Sequence, residues 1–457
     1  MAKSLFSLFG KVGAGLVTAL ALFYAIENFR GARAWQAERH RLEAKGEELS
    51  WAKLMPPAAS LDLPRRPEVV AWRSKEFLSV AGFRPEFAGS SLGSGPDGLI
   101  AIQNWRTMLL QPAAPTEAET LCAAGSSFLK ATESLNPVIE ALVEAARAGP
   151  IADWELKAGE PPDSTLLPPL LQMRRLSRVL RLRIAAHSSC GESQRAIAEM
   201  RVMARLQQSL EGLPFAITSL MEMALADEML DTIHDGLARG QLGERHRREV
   251  AALLSDGWIE SARLALRAER NWLVFYAESP ESASVGRLTR LGLRLMPRGW
   301  LLRQAVHIAR STDDALQLLE NPSRIDPSAI DGLAHGEREQ TTPYNVIARM
   351  TELSVGRLAR NAVALQTRVR LIRVAFALSA LREKAGAYPQ TLSALAPSYL
   401  AAVPTDIVNG QPLQYRPSNN GFSLYSVGWD LKDDGAPSGP HAGFAYRRDW
   451  ALTIGSR

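Results

Sequence analysis

The side chains able to hold a metal or carry acid–base chemistry are few and widely spaced. The seven histidines are His40, His187, His234, His246, His307, His335 and His441. None has a partner at HExxH spacing, which a helical zinc site needs to bring two imidazoles onto one face. The nearest approach, His335-Gly336-Glu337-Arg338-Glu339, has no second imidazole at i+4. No GxSxG elbow, phosphate-cradling P-loop or GxGxxG turn occurs. His187 and His234 fall near the ends of predicted helices, where the dipole favours a positive ring. Cys122 and Cys190 have no CxxC partner, so neither a zinc ribbon nor a dithiol redox motif is expected. They read as buried thiols, with a single disulfide as the alternative in an oxidising compartment.

Two charged groupings remain. Arg174, Arg175, Arg178, Arg181 and Arg183 crowd one stretch, and the spacing of Arg174, Arg178 and Arg181 places them on one helical side. A solvated face is the expected outcome, with lipid headgroups or nucleic acid as the alternatives. Glu269-Arg270, between Leu264 and Tyr276, is expected to form an ion pair at a helix–helix contact.

These residues must be positioned by a chain that begins with an apolar run. Leu5–Ile26 is 22 residues with one charge, Lys11. As a helix it measures about 33 Å, against a hydrocarbon core of about 30 Å. A transmembrane anchor over 1–26 is therefore predicted. The competing reading, a signal peptide cleaved after Ala19-Leu20-Ala21, places the cleavage triplet inside the apolar run, with Leu22, Phe23, Tyr24 and Ile26 still to come. A charged juxtamembrane helix follows over 27–53, where Trp35 suits either the interfacial belt or the body. Arg30, Arg33, Arg39, Arg41 and Lys45 beyond the span outnumber Lys3 and Lys11 toward its N-terminal end, so the charge rule alone mildly favours a cytoplasmic body.

Residues 54–115 are rich in Pro and Gly. Trp72, Phe77, Phe83, Phe87 and Trp105 within them are expected to pack on the body rather than form a linker. Over 116–385 the apolar period is helical. Thr116-x-x-Glu119 resembles a capping box, and amphipathic stretches are predicted over 166–186, 192–210, 213–239, 250–276 and 284–319. A helix of almost 40 residues should run from Asn345 to Lys384 and stop at Gly386 and Pro389. Helices joined by short turns pack as antiparallel hairpins, in the manner of tetratricopeptide-like or HEAT-like arrays. The 34-residue tetratricopeptide signature is not found. The fold class is thus mainly α, closed by a small α+β module over 386–457. There Pro412–Arg416 and Gly421–Val427 form a β-hairpin turned at Asn420-Gly421, followed by the acidic loop Gly428-Trp429-Asp430-Leu431-Lys432-Asp433-Asp434-Gly435.

The run from Gly386 to Gly435 resembles the C-terminal portion of type II secretion major pseudopilins. It is still more similar to that module fused to helical bodies in uncharacterised single-span proteins of planctomycete and verrucomicrobial genomes, whose juxtamembrane start the run from Glu27 to Pro57 also resembles. In pseudopilins the acidic loop holds a structural calcium ion, so the resemblance nominates Asp430, Asp433 and Asp434 as ligands. Clustered carboxylates suit the six to eight oxygens calcium takes. A plain Asp-Gly turn would need no metal. The chain departs from pilins at its start: the fifth residue after Gly10 is Gly15 where a processed pilin has Glu, and the only nearby acid is Glu27. A polymerising pseudopilin is not expected. The resemblance places the body in the periplasm, against the mild charge bias.

Composition sets the remaining bounds. The chain has 457 residues, 46% hydrophobic and 22% charged, which excludes collagen-like, disulfide-framework and wholly disordered classes. Its 53 basic residues exceed its 48 acidic ones by only five. Arginine dominates the basic set, which reads as genome composition, and no nucleic-acid partner is expected. The expected protein is a single-pass inner-membrane scaffold or interaction protein. It touches the bilayer through 5–26, has a protein partner and has no cofactor apart from the calcium the resemblance implies. A membrane-tethered enzyme with a site between helices, or an accessory component of a secretion or pilus-like system, is the alternative.

Overall fold

The computed structural model describes residues 2–54, 109, 118–148, 170–282, 286–321, 325–335, 341–435 and 450–454. The chain is mainly helical, with thirteen α-helices and one three-stranded sheet among the described residues. The first, α1 (Ala2–Ala44), joins the expected anchor and juxtamembrane helix without a break. It ends in a turn at Gly46 and is followed by the short α2 (Trp51–Leu54). Of residues 54–115, only Leu54 and Leu109 are described. Trp72, Phe77, Phe83, Phe87, Trp105 and Thr116 lie outside the described residues.

Next come α3 (Ala118–Ala131) and α4 (Asn136–Ala148), separated by a 3-10 turn before Asn136-Pro137. The hairpins follow as α5 (Leu170–Ser189), α6 (Ser193–Gln208) and α7 (Ala216–Ala238). The polar run after Gly243, expected to be a connection, is itself a helix, α8 (Glu244–Ala251). The helix expected from Val250 starts later, as α9 (Trp258–Glu278), because Gly257 takes a left-handed φ of 119° that an ordinary residue resists. The stretch expected over 284–319 is divided at Pro297 into α10 (Arg287–Leu295) and α11 (Arg298–Leu318), since proline cannot donate within a helix. Then come α12 (Pro327–His335), which the apolar period did not reveal, and α13 (Val346–Ala385), capped by left-handed Gly386 as expected.

The long α13 is the axis of the body and packs against α7, α9, α11 and α12. Ala362, Val363, Leu371, Val374, Ala375 and Leu378 along it are buried. The hairpin has the expected strands, β1 (Gln414–Pro417) and β2 (Phe422–Ser426), paired antiparallel with Tyr415 opposite Leu424. A third strand, β3 (Trp450–Ile454), was not expected, and it pairs antiparallel on the far side of β2. Phe422, Leu424, Trp450 and Leu452 share one continuous core with the helical body. Asp406 secures this corner: Ser426 Oγ at 2.9 Å and the Val427 and Val408 amides at 3.0 and 3.2 Å donate to its buried carboxylate.

Candidate binding groove

The apolar half of α1 stands clear of the body, with Val12, Leu16, Val17 and Leu20 all exposed. Its charged half is built into the body along α11. Where the two helices cross, Gly31 lies against the backbone of Gly299, and a Cβ on either would overlap the other helix. Hydrogen bonds then run up the seam. Asn28 Oδ1 accepts from the Gly299 amide at 2.9 Å, and Trp300 Nε1 donates to Glu27 at 2.9 Å. Trp35, which either the membrane interface or the body could have taken, is buried and donates to Glu278 at 2.7 Å. Higher up, Arg41 and Lys45 each reach Asp313 at 2.7 Å, while Arg310 binds the buried Glu38 at 3.1 Å.

Beyond α1 the chain folds over α9. Arg270 is fully buried, and its partner is Glu47 at 2.9 Å rather than its neighbour Glu269, which corrects the expected ion pair. Arg267 donates to the same carboxylate at 3.1 Å. Burial alone would raise the Glu47 carboxyl, but these two guanidiniums outweigh it and hold the carboxyl below its ordinary range. Arg270 and Asn271 also donate to the Glu48 carbonyl, at 3.0 and 2.8 Å. Glu269 is left half-buried, and burial pushes its carboxyl up to about 7.

Between the end of α1, the turn into α2 and the end of α9 lies an open groove of about 700 Å³. Trp35, Arg39, Glu43, Lys53, Phe275 and Glu278 are among its lining residues. Its charges answer one another: Arg39 pairs with Glu43 at 3.0 Å and Glu278 at 3.3 Å, and Lys53 pairs with Glu48 at 2.9 Å. Such a surface offers polar contacts to a partner, with the buried Trp35 and Trp51 in its wall.

The remaining charged residues bind helix to helix. The expected solvated arginine face of α5 is only partly so: Arg174 and Arg178 are exposed, but Arg181 and Arg183 are buried. Arg181 turns into an acidic stripe on α7, meeting Glu228, Asp231 and Asp235 at 3.2, 2.8 and 3.0 Å. Arg368 of α13 closes the stripe from the other side through Asp227 and Asp231. Arg183 grips Glu199 of α6 at 2.8 Å and donates to Thr132 at 3.0 Å. His187, in the last turn of α5 as expected, sits within the same knot, Nδ1 at 2.8 Å from Glu192 and Nε2 at 3.3 Å from Glu199, so two carboxylates hold it there as well as the helix end. Sequence reasoning missed Glu199, Asp231 and Glu47 because each lies on a different element from its arginine.

Cys122 and Cys190 are half-buried rather than buried, and they form a disulfide that joins α3 to the turn after α5. The acidic loop is held by its own backbone and neighbours. Asp430 accepts from the Lys432 amide at 3.1 Å, and Asp433 accepts from Tyr425 Oη and the Gly435 amide, both at 3.0 Å. Arg416 stands 3.5 Å from Asp433, and the Asp434 amide donates to the Lys432 carbonyl at 3.2 Å. Among the described residues no three Asp, Glu, His or Cys side chains, Asp430, Asp433 and Asp434 included, gather as a ligand set.

No protein-family model matches the chain, and comparisons with curated proteins and with solved structures find no match. The groove and the clusters are therefore read from their geometry.

Proposed function

We infer that the protein is a single-pass scaffold of the bacterial inner membrane, with its body in the periplasm and its groove presented to a protein partner. The observation that carries this is α1. It is the one helix among the described residues long and apolar enough to cross a membrane, and it continues unbroken into a seam of glycines and ion pairs along α11. A flexible linker would leave the body free to turn, whereas this helix fixes its height and facing above the bilayer. The Cys122–Cys190 disulfide supports the periplasmic side, because such bonds persist in oxidising compartments. The hairpins from α5 to α7 suit a tetratricopeptide- or HEAT-like array, an architecture that stacks helix pairs into extended binding surfaces. The resemblance of the C-terminal module to pseudopilins makes a secretion-system accessory the second form of the same reading.

Two measurements test it. A reporter fused after Arg457 should be active in its periplasmic form, and activity confined to the cytoplasmic form would overturn the placement. A photo-crosslinker replacing Arg39 or Glu43 should give one discrete adduct in intact cells, with none from the same group at exposed Glu260. Equal labelling at the three positions would remove the groove as the partner's seat.

A further inference from the structure

Beside the exit of α1 from its apolar segment lies α10, RLTRLGLRL, a helix with three arginines and no acidic residue. Three of its leucines point two ways. Leu293, with Met296 just beyond, packs on the cluster of Trp35 and Leu301, which seats the helix on the body. Leu291 and Leu295 are one turn apart on the other side, 53% and 64% exposed. Gly292, between the two sides, faces open space. A helix on an ordinary solvated surface would carry polar groups there.

The position of this exposed stripe indicates what covers it. Tyr24 Oη donates to the Leu295 carbonyl, and the Phe23 ring meets Trp300 edge-on at 6.0 Å. Tyr24 lies in the last turn of Leu5–Ile26, a segment of about 33 Å that matches a hydrocarbon core of about 30 Å. The C-terminal end of α10 is thereby fixed at the level where the span ends. Of the fourteen large apolar side chains exposed among the described residues, eight belong to Val12–Phe29 of α1 and two are Leu291 and Leu295, so the apolar surface is gathered at this end of the molecule. Arg287, Arg294 and Arg298 are exposed beside it, as are Arg30 and Arg33 across the helix pair.

We propose that α10 is an interfacial helix that lies on an anionic lipid surface, with Leu291 and Leu295 among the acyl chains and Arg287 and Arg294 on headgroup phosphates. This rests on the reading of α1 as a membrane anchor. Leucines on one side of a helix with arginines flanking them are the composition of helices that lie in the headgroup layer. Arginine suits the role because its stem covers apolar surface while its fork takes two phosphate oxygens. With α1 crossing and α10 lying flat, the body has two contacts with the bilayer and cannot swivel about the anchor.

The test uses the full chain in nanodiscs. Its only native cysteines are joined to each other, so a nitroxide on a single introduced cysteine reports one position. At Leu291→Cys the label should favour collisions with dissolved oxygen over a water-soluble nickel chelate in discs of phosphatidylcholine and phosphatidylglycerol. A label at Thr289→Cys should stay open to the chelate. Replacing Arg287 and Arg294 with Gln should weaken the hold about fivefold for each charge removed. A label at Leu291→Cys open to the chelate in both lipids would overturn the proposal, and one shielded from both reagents would assign the stripe to protein, such as a second copy of the chain. The control at Leu16→Cys separates the two readings. If its label is also open to the chelate, the anchor itself fails, whereas if it is buried in lipid while Leu291→Cys is aqueous, only the interfacial helix fails.

Discussion

Gly31 and Gly299 lie backbone to backbone where α1 crosses α11, with the Glu27 carbonyl directly over the Gly299 Cα. Neither glycine is needed for φ, since both sit inside helices. They are needed because helix axes approach this closely only where no Cβ stands between them. Gly299→Ala should therefore force the helices apart and break the Asn28 and Trp300 hydrogen bonds beside them. The expected loss is about 1–3 kcal/mol, the usual cost of overpacking a tight contact. Thermal unfolding in detergent measures it. Gly292→Ala, placed in open space on an exposed helix, should be neutral or mildly stabilising.

The knot of Arg183, Glu199 and His187 behaves differently when one member is removed than when the pair is replaced. Glu199→Ala leaves a buried guanidinium and a buried imidazole without their shared carboxylate. A loss of about 3–5 kcal/mol is expected, read from urea unfolding. Replacing Arg183 with Met and Glu199 with Leu together should recover most of that loss, because an apolar pair of similar volume carries no desolvation cost. If the double variant is as unstable as the single one, Thr132 and His187 hold the helices through contacts that the ion pair only accompanies.

In the acidic loop, Asp433 supplies acceptors to Tyr425 and Gly435. Asp433→Ala should cost about 1–2 kcal/mol, since the hydroxyl of the buried Tyr425 and the Gly435 amide both lose the Asp433 acceptor. The hydrogen bonds at Asp430 and Asp433 account for the loop without a metal, so a chelator should leave the melting temperature of the native chain unchanged. A fall on chelation that Asp433→Ala abolishes would instead assign Asp430, Asp433 and Asp434 to calcium, as the pseudopilin resemblance implies.

What was legible in the sequence depended on range. The apolar run of α1, the extent of α13 and its Gly386 stop, and the β1–β2 hairpin are local signals of period and punctuation, and the structure has them. Local pairs such as Arg39 with Glu43 are legible, but the partners that charged residues find on other elements are not. Arg181 and Arg183 look like a solvated face when α5 is read alone, because Asp231 lies 50 residues away and Glu199 is on the next helix. Arg270 reads as the partner of its sequence neighbour for the same reason, whereas tertiary packing aims it at Glu47. The strand β3 is short and distant from the hairpin it joins, so no turn signal announced it. The groove is likewise built from segments more than 200 residues apart, so the sequence marks Trp35 and Arg39 on one wall without showing that Phe275 and Glu278 face them.

Glu222 makes stability depend on pH in a direction opposite to most acidic residues. It is buried between α6, α7 and α9, accepting from Gln207 Nε2 and Ser261 Oγ, both at 3.0 Å, with no cation beside it. Burial raises its carboxyl to about 7, the charge of Glu211 adding to the effect and the two hydrogen bonds opposing it. Between about 4.5, the unfolded value, and about 7 the native state keeps a proton that the unfolded chain releases. This contribution is therefore fully present below the lower value, lost as pH rises through the window, and absent above it. Its size is roughly 3 kcal/mol. Glu269 shifts the same way, so the native chain alone does not isolate the effect. Glu222→Gln does, because it keeps an acceptor for Gln207 and removes the charge. The variant should match the native chain near pH 4.5 and exceed it in stability at pH 8. A difference in unfolding free energy that stays constant across that range would show that Glu222 is ionised in the native core.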